Sequence, residues 1–231
     1  MFRNSRITVI SAHPDDFEIG MGQFLLELLD PERDNRIEIC VVTDGGAGGT
    51  LRVRQQEQAA VETSLRARFP RTFVGIHPKS YAFPDTELFP SKALITYLEE
   101  VCRDSDIVFT HFPDDTHQDH RALGICIQPA CRFVRNVIFY QSYSVRNFQP
   151  TLFFDFTEAE MIADTGKLGL ISFHTSQVER YQGSNQDLHE DMHALAAYNG
   201  FLFKTPKRYA EGFVPWKIAL ERSPSRRIGD A

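Results

Sequence analysis

Two short stretches concentrate the side chains that bind metals or move protons. His13, Asp15 and Asp16 stand in Ala12-His13-Pro14-Asp15-Asp16, directly after a β-branched run. His111, Asp114, Asp115, His117, Asp119 and His120 crowd into residues 111–120, after another. Histidine nitrogen and carboxylate oxygen are donors that catalytic zinc favours. Two His and one carboxylate with an open position form a recurring set that lowers the pKa of a bound water towards about 7. His13 and Asp16 are close enough for one tight loop to present both to a single ion. His117 and His120, three apart at a helix start, lie on neighbouring faces of a turn, and the spacing alone does not choose between them. The plainer reading makes each stretch a helix N-terminus capped by Asp, with ordinary surface histidines. That reading suits a lone His better than two clusters that follow two strands.

Two other stretches compete. His189-Glu190-Asp191-Met192-His193 spells H-E-x-x-H, the helical zinc pattern of many metalloproteases, and its two His would share a helix face. Asp191 between them is charged where such helices bury apolar residues. The glycine string from Asp44 to Gly49 follows a strand and could offer backbone N–H groups to a phosphate or nucleotide in a non-enzymatic binding module. It does not fit G-x-G-x-x-G and lacks the Lys of a Walker loop, so it reads better as a lip of the pocket or a turn. Asp44 itself either borders the site or shapes the turn before the glycines.

These side chains need elements to place them. Residues 7–12, 37–43, 72–76 and 106–110 read as strands from their β-branched runs, and 137–142 and 152–156 as two more. Between them, helical composition marks the apolar-periodic segment around 24–29, residues 53–69, 91–103 and a segment starting near His117. Thr157 resembles the N-cap of a helix running to about Phe173, Asp187 opens another, and 213–220 returns as a strand. Strands alternating with helices indicate an α/β fold: a Rossmann-like, mostly parallel sheet with helices on both faces. In such a sheet the binding crevice lies beyond the carboxyl ends of the strands, which is where both clusters fall.

Bulk properties narrow the classes. The 231 residues, 42% hydrophobic and 24% charged, suit one globular domain over 1–231, with 222–231 as a loose tail. A formal net charge of −6 argues against a nucleic-acid surface, which needs clustered Lys and Arg. No apolar window approaches a membrane span, and the first residues lead into a strand rather than a secretion signal, so the expected location is cytoplasmic. Cys40, Cys102, Cys126 and Cys131 form no C-x-x-C pair and are expected to be buried thiols. Oligomeric state stays open, and a homo-oligomer is compatible with the sequence.

Both clusters and their surroundings resemble the PIG-L/LmbE-like family of metal-dependent deacetylases, marked by A-H-P-D-D after the first strand. Gly49-Thr50-Leu51-Arg52-Val53-Arg54-Gln55-Gln56-Glu57 resembles the family's G-T-x-x-x-R-x-x-E, and His117-Gln118-Asp119-His120-Arg121-Ala122 its H-x-D-H-R-A. His174-Thr175-Ser176-Gln177 and Ala210-Glu211-Gly212-Phe213 are similar to its H-x-S-Q and A-E-x-F. The resemblance implies a single zinc per chain and hydrolysis of the N-acetyl group of an N-acetylglucosamine-type sugar or glycoconjugate. It implies His13, Asp16 and His120 as metal ligands, Asp15 as general base, His117 as oxyanion stabiliser or proton donor, and Arg54 as a substrate-binding arginine.

Elementary chemistry is compatible with these roles. Asp15 adjoins a ligand and could take a proton from an attacking water; a protonated His117 could donate to the oxyanion. Asp119 would orient His117, support His120 from behind, or cap the helix. Arg54 could grip hydroxyls or a phosphate, although an isolated helical Arg is more often solvated, and Glu57, one turn on, would pair with it. Many relatives carry paired glycines where this chain has Gly22-Gln23. Phe17, Met21 and the load of 19 Phe and 7 Tyr would serve the core, with some rings left to shape an apolar pocket.

Overall fold

A computed structural model describes residues 2–184 and 186–219. The chain alternates strands and helices: β1 (Arg6–Ser11), α1 (Asp16–Leu28), β2 (Arg36–Val41), α2 (Leu51–Arg68), β3 (Phe73–Ile76), α3 (Lys92–Val101), β4 (Ile107–His111), α4 (Gln118–Ala130) and β5 (Asn136–Tyr140). It continues with β6 (Leu152–Phe156), α5 (Glu158–Ile162), α6 (Lys167–Ile171), α7 (Thr175–Gly183), α8 (Leu188–Phe203) and β7 (Tyr209–Lys217). The strands form one sheet in the order β3-β2-β1-β4-β5-β7-β6. The first five of these are mutually parallel, and β7 runs antiparallel to both of its neighbours.

Strand residues alternate between two cores, as the period of two demands. Ile7, Val9, Ile37, Ile39, Val41, Ile107, Phe109, Ile138 and Tyr140 face α1, α2 and α6. Ile10, Cys40, Val108, Val137 and Phe139 face α3 and α4. Burial on both faces explains why these strands read as nearly continuous apolar runs. Phe17 and Met21 are wholly buried in the first core, and all four cysteines are buried free thiols. Among the described residues, no helix is long and apolar enough to cross a membrane.

From β1 the chain winds outward to β2 and β3, then returns to place β4 on the other side of β1. The carboxyl ends of β1 and β4 therefore flank the switch point, where helices lead away on opposite faces and leave a crevice. Helix α1 packs closely over it. A Cβ on Gly20 would come within 2.3 Å of the Tyr140 ring, so only glycine allows this approach. The helix is kinked at Met21, whose φ of −149° is not helical. The amides freed by the kink are taken up: Gln23 and Phe24 N–H donate to the buried Glu211 carboxylate at 3.1 and 2.8 Å, and Lys167 Nζ pairs with it at 2.7 Å. The Gln23 side chain accepts the Lys167 N–H at 3.1 Å, and so ties α6 to the kink.

The expected long helix from Thr157 to about Phe173 is corrected to two short ones. Thr157 does cap α5 in a capping box with Glu160, but the chain then folds back so tightly that a Cβ on Gly166 would meet Glu160 O at 2.1 Å. The last strand begins at Tyr209 rather than 213 and carries Pro215 where the β5 register shifts, the position a sheet tolerates for proline. The expected tail at 222–231 and the end of the expected last strand, Leu220, lie outside the described residues.

Candidate functional site

Three side chains converge at the switch point. His13 follows β1 in the loop to α1, Asp16 opens α1 and His120 lies in the first turn of α4. His13 Nδ1 is 3.3 Å from Asp16 Oδ2, His120 Nε2 is 3.3 Å from Asp16 Oδ1, and the two ring nitrogens are 3.3 Å apart. Donor atoms about 2.0–2.1 Å from a tetrahedral zinc lie about 3.3–3.4 Å from one another; the two imidazole nitrogens meet that spacing, and each has a different oxygen of Asp16 at 3.3 Å. The loop that achieves this is strained. Asp15 has φ 98°, a left-handed value for a non-glycine, and the His13 N–H donates to Asp16 Oδ2 at 2.7 Å across the turn. This twist turns Asp15 away from Asp16, towards Arg54.

Behind each imidazole stands a carboxylate, the arrangement that fixes ring orientation and raises ligand basicity. His120 Nδ1 meets Asp115 Oδ2 at 3.1 Å, and Asp115 is held in turn by Ser142 Oγ and the His117 N–H. His13 Nε2 meets both Asp119 Oδ2 and Asp85 Oδ1 at 3.1 Å. The field of the cluster favours positive charge. Burial opposes the charge on His120, but Asp16 and Asp115 outweigh it and lift its pKa to about 9. Burial is likewise overcome at His13, mainly by Asp16, and that pKa also rises. Despite its own burial, Asp16 is pulled well below the carboxylate range by His120, His111 and His13. A nitrogen and oxygen donor set in a field that draws cations is chemically suited to a divalent metal.

His117 caps α4, its Nδ1 accepting the Asp119 N–H at 3.3 Å, which leaves Nε2 to carry a ring proton. Burial, then His120 and His13, push its pKa down. One of its ring nitrogens lies within 4.8 Å of nitrogens of His13 and His120. Arg54 is 3% exposed rather than solvated, and it donates to Asp15 Oδ2 at 3.1 Å and to Pro14 O at 2.6 Å. Glu57 does not serve as its hydrogen-bonded partner; its carboxylate instead takes the Ser176 N–H and Oγ at the start of α7.

Two expected placements are corrected. The Asp119 carboxylate is directed to His13, not to His117 or His120, because it also accepts Thr86 and Leu88 N–H on its buried side; Asp115 occupies the place behind His120. Asp44 lies behind the pocket wall rather than on it, its carboxylate used by the Gly46 and Asp85 amides. The glycine string is no open phosphate cradle either, since Ala47 and Gly48 N–H donate to Asp85. On α8, His193 Nε2 contacts Glu158 Oε1 at 2.8 Å. Among the described residues, neither His189 nor His193 joins a set of three metal-donor side chains.

Several site residues were assigned no role by the sequence. Asp115 stands inside the second cluster and could have been found there. His111 could too: it stacks on His120 with centroids 3.9 Å apart and has Nε2 3.2 Å from Asp16, and burial, then His120, bring its pKa down to about 4. Asp85 carries no local signal. Burial opposes its charge, but His13 and the Ala47 and Gly48 amides bring its pKa down to about 2. Tyr143, Ser144, Gln177, Arg180 and Tyr181 form the outer wall of a pocket of about 460 Å³ whose floor is the histidine cluster with Asp15 and Arg54.

Comparison with known proteins places these features in context. A family profile described as GlcNAc-PI de-N-acetylase (PIG-L) matches residues 8–131, which hold both histidine clusters and Arg54. The uncharacterized deacetylase YaiS of Escherichia coli (strain K12) is 28% identical over 180 residues, covering 74% of this chain and 90% of that protein. Among solved structures, the N,N'-diacetylchitobiose deacetylase of Pyrococcus horikoshii superposes with a TM-score of 0.72 at 22% identity, over 91% of this chain and 83% of its own. GalB, the 4-carboxy-2-hydroxymuconate hydratase of Pseudomonas putida, reaches 0.70 at 17% identity, over 95% and 99%.

Proposed function

We propose, from the premise that this chain belongs to the PIG-L family of GlcNAc-PI de-N-acetylases, that it is a zinc-dependent hydrolase removing the acetyl group from an N-acetylated sugar or glycoconjugate. The observation that carries this reading is the convergence of His13 Nδ1 and His120 Nε2, 3.3 Å apart and each 3.3 Å from one oxygen of Asp16, on the floor of a pocket large enough for a sugar unit. His13, Asp16 and His120 would hold one ion per chain. When bound, zinc supplies Lewis acidity, polarising a carbonyl and bringing the pKa of a water towards about 7.

The remaining work falls to this chain's own side chains. Asp15 lines the pocket and is the proton acceptor for the water that attacks the acetyl carbon. Arg54 orients that carboxylate through its hydrogen bond to Oδ2. His117, with Nδ1 occupied by a backbone donor, offers Nε2–H as a hydrogen bond to the developing oxyanion, and the proton that Asp15 takes from the water passes to the leaving amine. Asp115, Asp119 and Asp85 fix the two ligand rings. Tyr143 and Tyr181 give the pocket wall flat apolar faces on which a sugar ring packs, while Ser144, Gln177 and Arg180 meet its hydroxyls.

The test is an acetate-release screen over N-acetylated sugars and glycoconjugates with zinc content measured in parallel. The expected result is acetate release that depends on zinc and disappears in His120→Ala. Zinc-free protein with full activity, or no release from any N-acetylated sugar, would sink the proposal.

A further inference from the structure

Asp85 lies in no recognisable motif, yet contacts from every side fix it. Its backbone N–H donates to the Asp44 carboxylate at 3.1 Å. The next residue, Thr86, has φ 66°; a β-branched side chain in that region is strained and persists only where its surroundings enforce it. The enforcement is visible: Thr86 and Leu88 N–H donate to Asp119 at 2.8 and 3.0 Å, and Gln118 Nε2 donates to Thr86 O. The result of this turn is that Asp85 Oδ1 sits 3.1 Å from His13 Nε2, beside Asp119.

The other oxygen, Oδ2, accepts the Ala47 and Gly48 amides at 2.9 and 3.3 Å. The Gly48 carbonyl is held in turn by Gln177 Nε2 and Arg180, both at 3.1 Å, and α7, which carries these two, is anchored to α2 through Glu57 and Ser176. An unbroken series of polar contacts therefore runs from α7 through the glycine lip to the back of His13. A carboxylate behind a ligating imidazole raises its basicity, and losing such a partner typically weakens metal binding about 10–100-fold.

We propose that Asp85 is a positioning residue for the metal centre, sharing the His13 Nε2 proton with Asp119 and coupling that ring to the glycine lip and α7. The inference rests on His13 being a metal ligand, and its test separates the two. Metal-stripped protein is titrated with zinc against a chelator of known affinity, and the melting of each stripped form is recorded. Asp85→Asn keeps an acceptor for the lip amides but removes the charge at His13. It is expected to bind zinc about 10–100-fold more weakly with its melting little changed. The lip variant Gln177→Ala/Arg180→Ala is expected to weaken zinc by a smaller factor, and combining it with Asp85→Asn to add nothing further, because both act through one contact.

Zinc affinity of Asp85→Asn within about twofold of the parent, or losses that multiply in the combined variant, would overturn the proposal. Should stripped Asp85→Asn fail to fold, the lip variant decides: parental zinc affinity there overturns the coupling. His13→Ala is the control for the underlying reading. If it loses zinc while Asp85→Asn does not, only the role of Asp85 falls; if it keeps zinc, the ligand assignment falls with it.

Discussion

Among single residues, Asp15 would separate the proposed chemistry from metal binding most cleanly. It is gripped by Arg54 rather than pointed at Asp16, so Asp15→Asn should retain zinc, with the amide oxygen still accepting from Arg54. Acetate release should nevertheless fall by about 10²–10⁴ in kcat, the usual worth of a general base; full release with zinc intact would remove Asp15 from that role. The same cluster sets a pH dependence. His120 titrates at about 9 in the folded chain against an ordinary value of 6.5. Its contribution to the stability of zinc-stripped protein is therefore complete below 6.5 and lost as pH rises through 9. Melting of the stripped protein should decline across that window, and zinc, which displaces these protons, should bind more tightly as pH rises towards 9; a flat profile would contradict the raised pKa. Side chains in local clusters, His13, Asp15, Asp16, His117 and His120, were legible because their neighbours in sequence are their neighbours in space. Asp85 was not. It reaches His13 only through a strained turn and a distant aspartate, and nothing in the Pro-rich connection around it has a period or spacing to read.

Elements show the same division between local and distant causes. The parallel strands β1, β2 and β4 were legible because both of their faces are buried and the apolar runs are uninterrupted. Helix α2 and the caps at Thr157 and Asp187 were legible from residue type alone. The break after α5 was not, because it depends on Gly166 meeting the Glu160 carbonyl, and the kink in α1 was not, because its compensation comes from Glu211 on β7. That compensation is open to test. Glu211→Ala would leave two amides unsatisfied and Lys167 buried without its partner, a loss of about 3–5 kcal/mol in denaturant melts. Glu211→Gln should lose less, since an amide oxygen still accepts one of the helix N–H groups. Equal losses in the two variants would mean that charge, not capping, is what the kink requires. Gly20→Ala presses a methyl on the Tyr140 ring and should cost about 1–3 kcal/mol by overpacking.

For the whole molecule, the sheet constrains where a metal can act more than which reaction it serves. A deacetylase and a hydratase superpose on this chain with nearly equal TM-scores, 0.72 and 0.70, so architecture alone does not name a reaction. What the architecture does specify is a crevice at the β1/β4 switch point, supplied from two strand ends, whereas the H-E-x-x-H stretch lies along a helix that flanks the sheet. The two locations make opposite demands on the same measurement. If zinc sits at the switch point, the purified protein carries about one ion per chain, His120→Ala loses it, and His193→Ala keeps it while losing only a contact with Glu158. A metalloprotease would require the reverse, with His193→Ala metal-free and His120→Ala still loaded. Zinc content by elemental analysis of the two variants decides between them without any substrate. With the ion located, release of acetate from an N-acetylated sugar then tests the proposed reaction itself.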